Sequence, residues 1–196
     1  MIHKGKKMKE QFNKDFIRNF DFFGLAPKMF SYIEKYFNPN MQILDVGTGQ
    51  GIGTRFLASK IKNTPNSSGK VYSIDLSDEL QELIAEILEE EKISEYVEFY
   101  IGDIENNSFE DSFFDLIISL NSMHHFSNPR NALNQMFRIL KNDGTLCIID
   151  WSKKARFLPH KKEDLLNLDD FKELVKSKKI IEEYSERFWW FVALSD

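Results

Sequence analysis

Apolar residues gather in five short, nearly continuous runs along the middle of the chain: MQILDV (41–46), VYSID (71–75), VEFYI (97–101), FDLIISL (114–120) and TLCIID (145–150). Their length, their Ile, Val, Leu and Phe content and the weak polar alternation predict strands buried on both faces, as in a parallel sheet. Between the runs the period becomes helical. Leu80, Leu83, Ile84, Ile87 and Leu88 fall at i, i+3, i+4, i+7 and i+8, with Glu82, Glu86, Glu89 and Glu90 among the polar positions. Leu133, Met136, Phe137 and Leu140 repeat the stripe after Asn128-Pro129, where proline suits a first helical turn. Asn142-Asp143-Gly144 is expected to end that helix and lead into the fifth run. Strand alternating with helix across 41–151 predicts an α/β domain with a parallel sheet.

The flanks read differently. Residues 1–40 carry Phe12, Phe16, Phe20, Phe22, Phe23, Leu25, Met29, Phe30, Ile33 and Phe37, too aromatic for a loose tail, and predict one or two helices capping the sheet edge or a site. Phe171, Leu174 and Val175 predict one more helix after Asp169-Asp170. The end, KIIEEYSERFWWFVALSD, reads as two strands joined tightly near Ser185–Arg187, hence antiparallel to each other, with Phe188, Trp189, Trp190 and Phe191 as sheet core.

Composition narrows the class. At 196 residues the chain suits one domain and can bury a core without disulfide or metal. Cys147 is its one cysteine, so a disulfide framework and a Cys-rich zinc site are excluded and a reducing, cytoplasmic setting fits. A net charge of −5 argues against general binding to nucleic acid. No apolar stretch approaches the roughly 18 residues of a membrane span, and the basic start, MIHKGKKMKE, has no apolar run after it, so neither a span nor a secretory signal is expected. The lysines there and His3 read as a solvated tail.

The chemistry gathers at four glycines within seven residues: Gly47, Gly49, Gly51 and Gly53, between the first strand and the helical TRFLASKI. Such a turn lets backbone approach a ligand and aims free helix N–H groups at it. No lysine follows at the spacing of a P-loop, which disfavours a nucleoside triphosphatase. The dinucleotide pattern G-x-G-x-x-G would put its third glycine at Ile52 or Thr54, which disfavours a nicotinamide-dependent oxidoreductase. Ligands of open parallel sheets bind beyond the carboxyl ends of the strands. Here those ends carry Asp45, Asp75, Asp103, Asn121 and Asp150; Asp150 suits a turn cap as well as a site.

What remains is Asp45-Val46-Gly47-Thr48-Gly49-Gln50-Gly51, followed in order by VYSIDLS, FYIGDIEN, FDLIISLNSMHHFSNP and ALNQMFRILKNDGTLCIIDW. On these motifs, spanning roughly residues 35–151, the chain resembles the class I S-adenosylmethionine-dependent methyltransferases, particularly the small group that includes ubiquinone- and menaquinone-type C-methyltransferases. The resemblance implies a Rossmann-like α/β fold: a seven-stranded, mostly parallel sheet in the order 3-2-1-4-5-7-6, the last strand antiparallel, with helices on both faces. It implies a single methyltransferase domain, with 1–40 a helical cap, 41–151 the cofactor-binding core and 152–196 a helix and β-hairpin.

It also implies roles. Asp45 and the backbone from Gly47 through Thr48 and Gly49 to Gly51 would face the methionine part of S-adenosyl-L-methionine, whose ammonium wants an acidic partner. Asp75 would accept both ribose hydroxyls. Leu76 and Ile104 would pack on the adenine, and Asp103 would take its amino group. Asn121 would lie near the methionine carboxylate and the transferring methyl. The expected product is S-adenosyl-L-homocysteine. Methyl transfer from a sulfonium needs chiefly alignment and a dry site, with a base only where the acceptor loses a proton. His124 and His125, just after the fourth strand, are the candidate bases; a turn cap and a packed residue are the alternative reading, and no metal is expected. Trp151 is a candidate acceptor wall. The Asn/Asp-Pro-Pro-Tyr/Phe motif of nucleic-acid and glutamine N-methyltransferases is replaced at 121–124 by Asn-Ser-Met-His, which favours a small-molecule acceptor. The alternative function is a non-catalytic S-adenosylmethionine-binding module. Oligomeric state and the methylated atom are not legible.

Overall fold

The computed structural model describes residues 14–22, 24–155 and 163–196. His3, Phe12, Phe23 and the lysines before residue 10 lie outside them.

Seven strands form one sheet: β1 (Gln42–Val46), β2 (Lys70–Asp75), β3 (Val97–Ile101), β4 (Phe114–Leu120), β5 (Leu140–Trp151), β6 (Lys179–Ser185) and β7 (Trp189–Ser195). Their order is β3-β2-β1-β4-β5-β7-β6, as expected. Pairs from β3 to β5 are parallel; β7 runs antiparallel to both β5 and β6. A two-strand unit without a crossover helix can only close this way, and the Glu186 N–H bonds the Trp189 carbonyl at 2.9 Å to make the turn.

Alternation of side chains across the sheet splits the core in two. On one face Ile43, Leu116, Ile118, Ile149 and Phe191 meet α2 (Ala26–Ile33), α3 (Ile52–Lys62) and α4 (Asp78–Glu90) through Met29, Leu57, Ile61, Ile84 and Leu88. On the other, Leu44, Ile117, Leu146, Ile148, Trp190 and Val192 meet α5 (Pro129–Ile139) and α6 (Leu168–Leu174) through Leu133, Met136 and Phe171. Each such side chain, taken out of water, stabilises the fold by roughly 1.5–3 kcal/mol. The helix starts are chemically marked: the Ser77 hydroxyl accepts the Leu80 N–H at the head of α4, and the Asn128 side chain accepts the Asn131 N–H at the head of α5.

Three expectations change. The fifth strand begins at Leu140, and Asn142-Asp143-Gly144 lie inside it: Phe114 pairs Leu140, but Leu116 pairs Thr145, so the extra residues form an irregular bulge instead of a helix-to-strand turn. VEFYI is not buried on both faces; β3 is an edge strand, and Ile101 is largely exposed. On α4, Leu80 and Leu83 are only partly buried, whereas Gln81 is buried and donates to the Tyr100 carbonyl at 2.9 Å.

The N-terminal segment packs on the same face of the sheet as α3 and α4. α1 (Lys14–Asn19) is tied to α4, Lys14 and Arg18 both pairing with Glu90. α2 leans on the terminal hairpin, with Tyr32 against Phe191 and Tyr36 donating to Glu182. Between them the Phe22 ring meets Trp151, the last residue of β5.

Candidate functional site

β1 ends in a loop whose geometry only glycine supplies easily. Gly47 has φ +79°, and a Cβ there would stand 2.5 Å from the Ser122 Cβ. The loop is therefore pressed against the exit of β4. Ser122 locks the contact: its hydroxyl donates to the Val46 carbonyl at 2.9 Å and lies 2.6 Å from the Ser119 hydroxyl.

Beneath the loop runs a buried hydroxyl chain. Thr48 Oγ1 and Ser73 Oγ are 2.5 Å apart, Ser73 Oγ and Thr54 Oγ1 2.9 Å, and Thr54 Oγ1 donates to Asp45 Oδ2 at 2.7 Å. Asp45 is 2% exposed. Burial pushes its carboxyl up to about 7, with the charge of Asp75 adding to the effect and bonds from Thr54 opposing it.

Asp75, at the end of β2, is held by the same loop. Its Oδ2 accepts the Gly49 N–H and its Oδ1 the Ser77 N–H, both at 2.9 Å. A carboxylate offers about four acceptor positions, so two remain for a ligand. Asp103 caps the turn after β3, its Oδ1 accepting the Glu105 N–H at 2.8 Å.

Asn121 leaves β4 in the left-handed region, φ +53°, with its N–H bonded to the Ile149 carbonyl at 2.7 Å. Asparagine tolerates that conformation better than most residues. Both atoms of its side-chain amide are buried, and neither has a hydrogen-bond partner among the described residues. Such a group costs about 1–3 kcal/mol unless something completes it.

These residues converge on one cavity of about 520 Å³, within the range of small-molecule sites. Asp45, Gly47, Thr48, Gly49, Asp75, Leu76, Asp103, Ile104, Asn121 and His125 all line it. Gly51 does not: its φ of +70° opens α3, and a Cβ there would press on Ile84 at 2.8 Å. His124 does not either. Its Nδ1 lies 2.7 Å from Asp150 Oδ1, its backbone N–H donates to Asp150 Oδ2 at 3.1 Å, and both side chains are buried. Asp150 thus serves as the clamp of the 123–125 turn, while the neighbouring His125, with ring centroids 4.1 Å apart, reaches the cavity. Trp151 is buried behind the wall and does not line it.

Phe22, Ile52, Leu80 and Phe126 line the cavity and were not singled out from the sequence. The aromatic density of residues 1–40 was a signal for the segment, but nothing in it marked Phe22 among its neighbours. Among the described residues there is no cluster of three or more His, Cys, Asp or Glu able to hold a metal ion, and no helix long and apolar enough to cross a membrane.

Residues 37–188 match the sequence profile of a family described as a methyltransferase domain. The chain belongs to that family. Among its relatives, the ubiquinone/menaquinone biosynthesis C-methyltransferase UbiE of Shewanella sediminis is 27% identical over 150 residues, 76% of this chain and 57% of that protein. An uncharacterized methyltransferase of Bacillus subtilis, YcgJ, is 30% identical over 109 residues, 56% of this chain and 40% of that one. The chain spans about half the length of the curated relatives it matches. Among solved structures, a SAM-dependent methyltransferase from Aquifex aeolicus superposes with a TM-score of 0.76 over 97% of both chains at 21% identity, a likeness of fold. The observed strand order matches that of the methyltransferase Rossmann-like fold.

Proposed function

We propose that this chain is an S-adenosylmethionine-dependent methyltransferase acting on a small molecule. The observation that carries the reading is the buried Asn121 amide, with neither atom partnered among the described residues, in a cavity that also holds the glycine loop and three acids at successive strand exits. The relatives reported above, named as methyltransferases, support it.

The residues present fit the cofactor. Asp75, already oriented by the Gly49 and Ser77 N–H groups, accepts the ribose hydroxyls with its remaining lone pairs. Leu76, 72% exposed at the rim, and Ile104 flank the adenine, and Asp103 takes its amino group. The Asn121 amide and the backbone of Gly47, Thr48 and Gly49 hold the methionine part, with Asp45 answering its ammonium from below. Gly51 serves the fold of α3 instead of touching the ligand. When bound, S-adenosylmethionine supplies a methyl group on an already activated sulfonium, so alignment and exclusion of water are the main tasks of the protein. Where the acceptor loses a proton, a ring nitrogen of His125 receives it; His124, clamped on Asp150, is a positioning residue. The acceptor is a small molecule and not nucleic acid, in keeping with the acidic net charge, and the working compartment is the cytoplasm.

Isothermal titration with S-adenosylmethionine, S-adenosylhomocysteine and NAD tests this. Binding of the two sulfur compounds without NAD is expected. Binding of NAD alone would overturn the reading, and binding without label transfer from methyl-labelled cofactor to any small-molecule acceptor would reduce the protein to a binding module.

A further inference from the structure

From Asp45 a chain of buried hydroxyls runs out to the cavity. Asp45 meets Thr54, Thr54 meets Ser73 and Ser73 meets Thr48, at 2.7, 2.9 and 2.5 Å in turn. Thr54 and Ser73 are inaccessible, whereas Thr48 lines the cavity. A hydroxyl has one proton to give, so such a chain has two polarities. With Asp45 ionised, all three hydroxyls donate inward, toward the carboxylate, and Thr48 turns a lone pair to the cavity. With Asp45 protonated the order reverses: Asp45 donates to Thr54, Thr54 to Ser73 and Ser73 to Thr48, which turns its own proton to the cavity. Thr48 therefore offers a ligand an acceptor in one state and a donor in the other.

The surroundings decide which state the ligand-free protein holds. The Thr54 hydroxyl and backbone N–H bond Asp45, while burial and the charge of Asp75 on β2 favour the protonated acid. On the other side β4 sets Ile118 in register with Asp45. On α3, Gly53 approaches the carboxyl, and the next cation along, Arg55, is turned to Glu91. Asp103 and His125 stand on the cavity wall, and His124 and Asp150 are bonded to each other. An ammonium brought over Thr48 tips this balance. It needs a lone pair there, and it favours negative charge beneath.

We propose that Asp45, Thr54, Ser73 and Thr48 form a proton relay coupled to the cofactor site, which inverts and releases one proton when the ammonium of the methionine end binds. The Asp45 proton passes to the Thr54 oxygen, that of Thr54 to Ser73, that of Ser73 to Thr48, and that of Thr48 to water and buffer. Each hydroxyl ends with one proton, and Asp45 ends ionised beneath the cation. The identity of the ligand rests on the methyl-transfer reading.

The test is calorimetric titration of S-adenosylhomocysteine into the full chain at pH 6, in phosphate and in imidazole, whose different ionisation heats count the protons released. Release of about 0.9 proton per ligand is expected, with affinity about tenfold weaker at pH 6 than at pH 8, from a carboxyl near 7 before binding that is ionised after it. Adenosine, which lacks the methionine end, should release none. Asp45→Asn should abolish both the release and the pH dependence. Thr48→Val, which removes only the cavity end of the relay, should cut the release by more than half and serves if the Asp45 variant melts early. His125→Gln should leave the release intact. Undiminished release in Asp45→Asn or Thr48→Val, equal release with adenosine, or loss of release in His125→Gln would overturn the proposal. So would binding of S-adenosylhomocysteine to the wild type without release, and that result would leave the methyl-transfer reading standing. Failure of S-adenosylhomocysteine to bind at any pH would sink that reading and the relay with it.

Discussion

The two ends of this one sheet are built to opposite rules. At the exits of β1 to β4 the chain accepts positive φ at Gly47, Gly49, Gly51 and Asn121, buries a carboxylate under a glycine loop and leaves an amide without a partner among the described residues. At the β5–β7 end, Trp189, Trp190, Phe191, Val192, Ala193 and Leu194 are all essentially inaccessible, and the Trp190 indole donates to the Leu166 carbonyl at 2.8 Å. The first end turns hydrogen-bonding groups toward a cavity, and the second has spent its surface on packing. Mutations should therefore separate: at the hairpin end they lower stability, at the strand exits they lower binding.

The sharpest contrast comes from Trp190→Ala. Removing a fully buried indole should cost about 3–5 kcal/mol in denaturant unfolding, while the remaining folded protein binds S-adenosylhomocysteine as before. A fall in intrinsic affinity comparable to the stability loss would blur the division. The converse is Asp75→Ala, which should weaken S-adenosylhomocysteine by about 1.5–3 kcal/mol with little change in unfolding. Unchanged affinity would remove Asp75 from the ribose.

A subtler effect concerns Asp45. Its carboxyl sits near 7 in the fold against an ordinary value of 3.8, so between these pH values the folded protein holds a proton that the unfolded chain has lost. Stability of the ligand-free protein should accordingly fall as pH rises from about 4 to 7 and level off above. Asp45→Asn should lose this component, gaining on the wild type as pH rises through that window. Melting curves of the two proteins across pH check it; a difference independent of pH would mean that burial does not raise Asp45.

Much of the sheet was legible because its information is local. The runs at 41–46, 71–75 and 114–120 became β1, β2 and β4, and the glycine spacing led to the cavity. What was not legible depends on partners distant in sequence. His124 and His125 are neighbours of identical type, and only Asp150, 26 residues on, turns one inward and leaves the other at the cavity. Leu140–Gly144 look like a helix end and a turn, but pairing with Phe114 draws them into β5. Gln81 breaks the apolar stripe of α4 because a carbonyl on β3 is there to receive it. Phe22 could not be told from the phenylalanines around it until the fold set its ring between Phe20 and Trp151.

The division between the two ends is tested most directly by amide chemical-shift mapping during titration with S-adenosylhomocysteine. The account predicts large shifts at Gly47, Gly49, Asp75, Asp103 and Asn121, and none beyond noise along 190–195. Shifts centred on the hairpin, or none at the exits of β1 to β4, would contradict it.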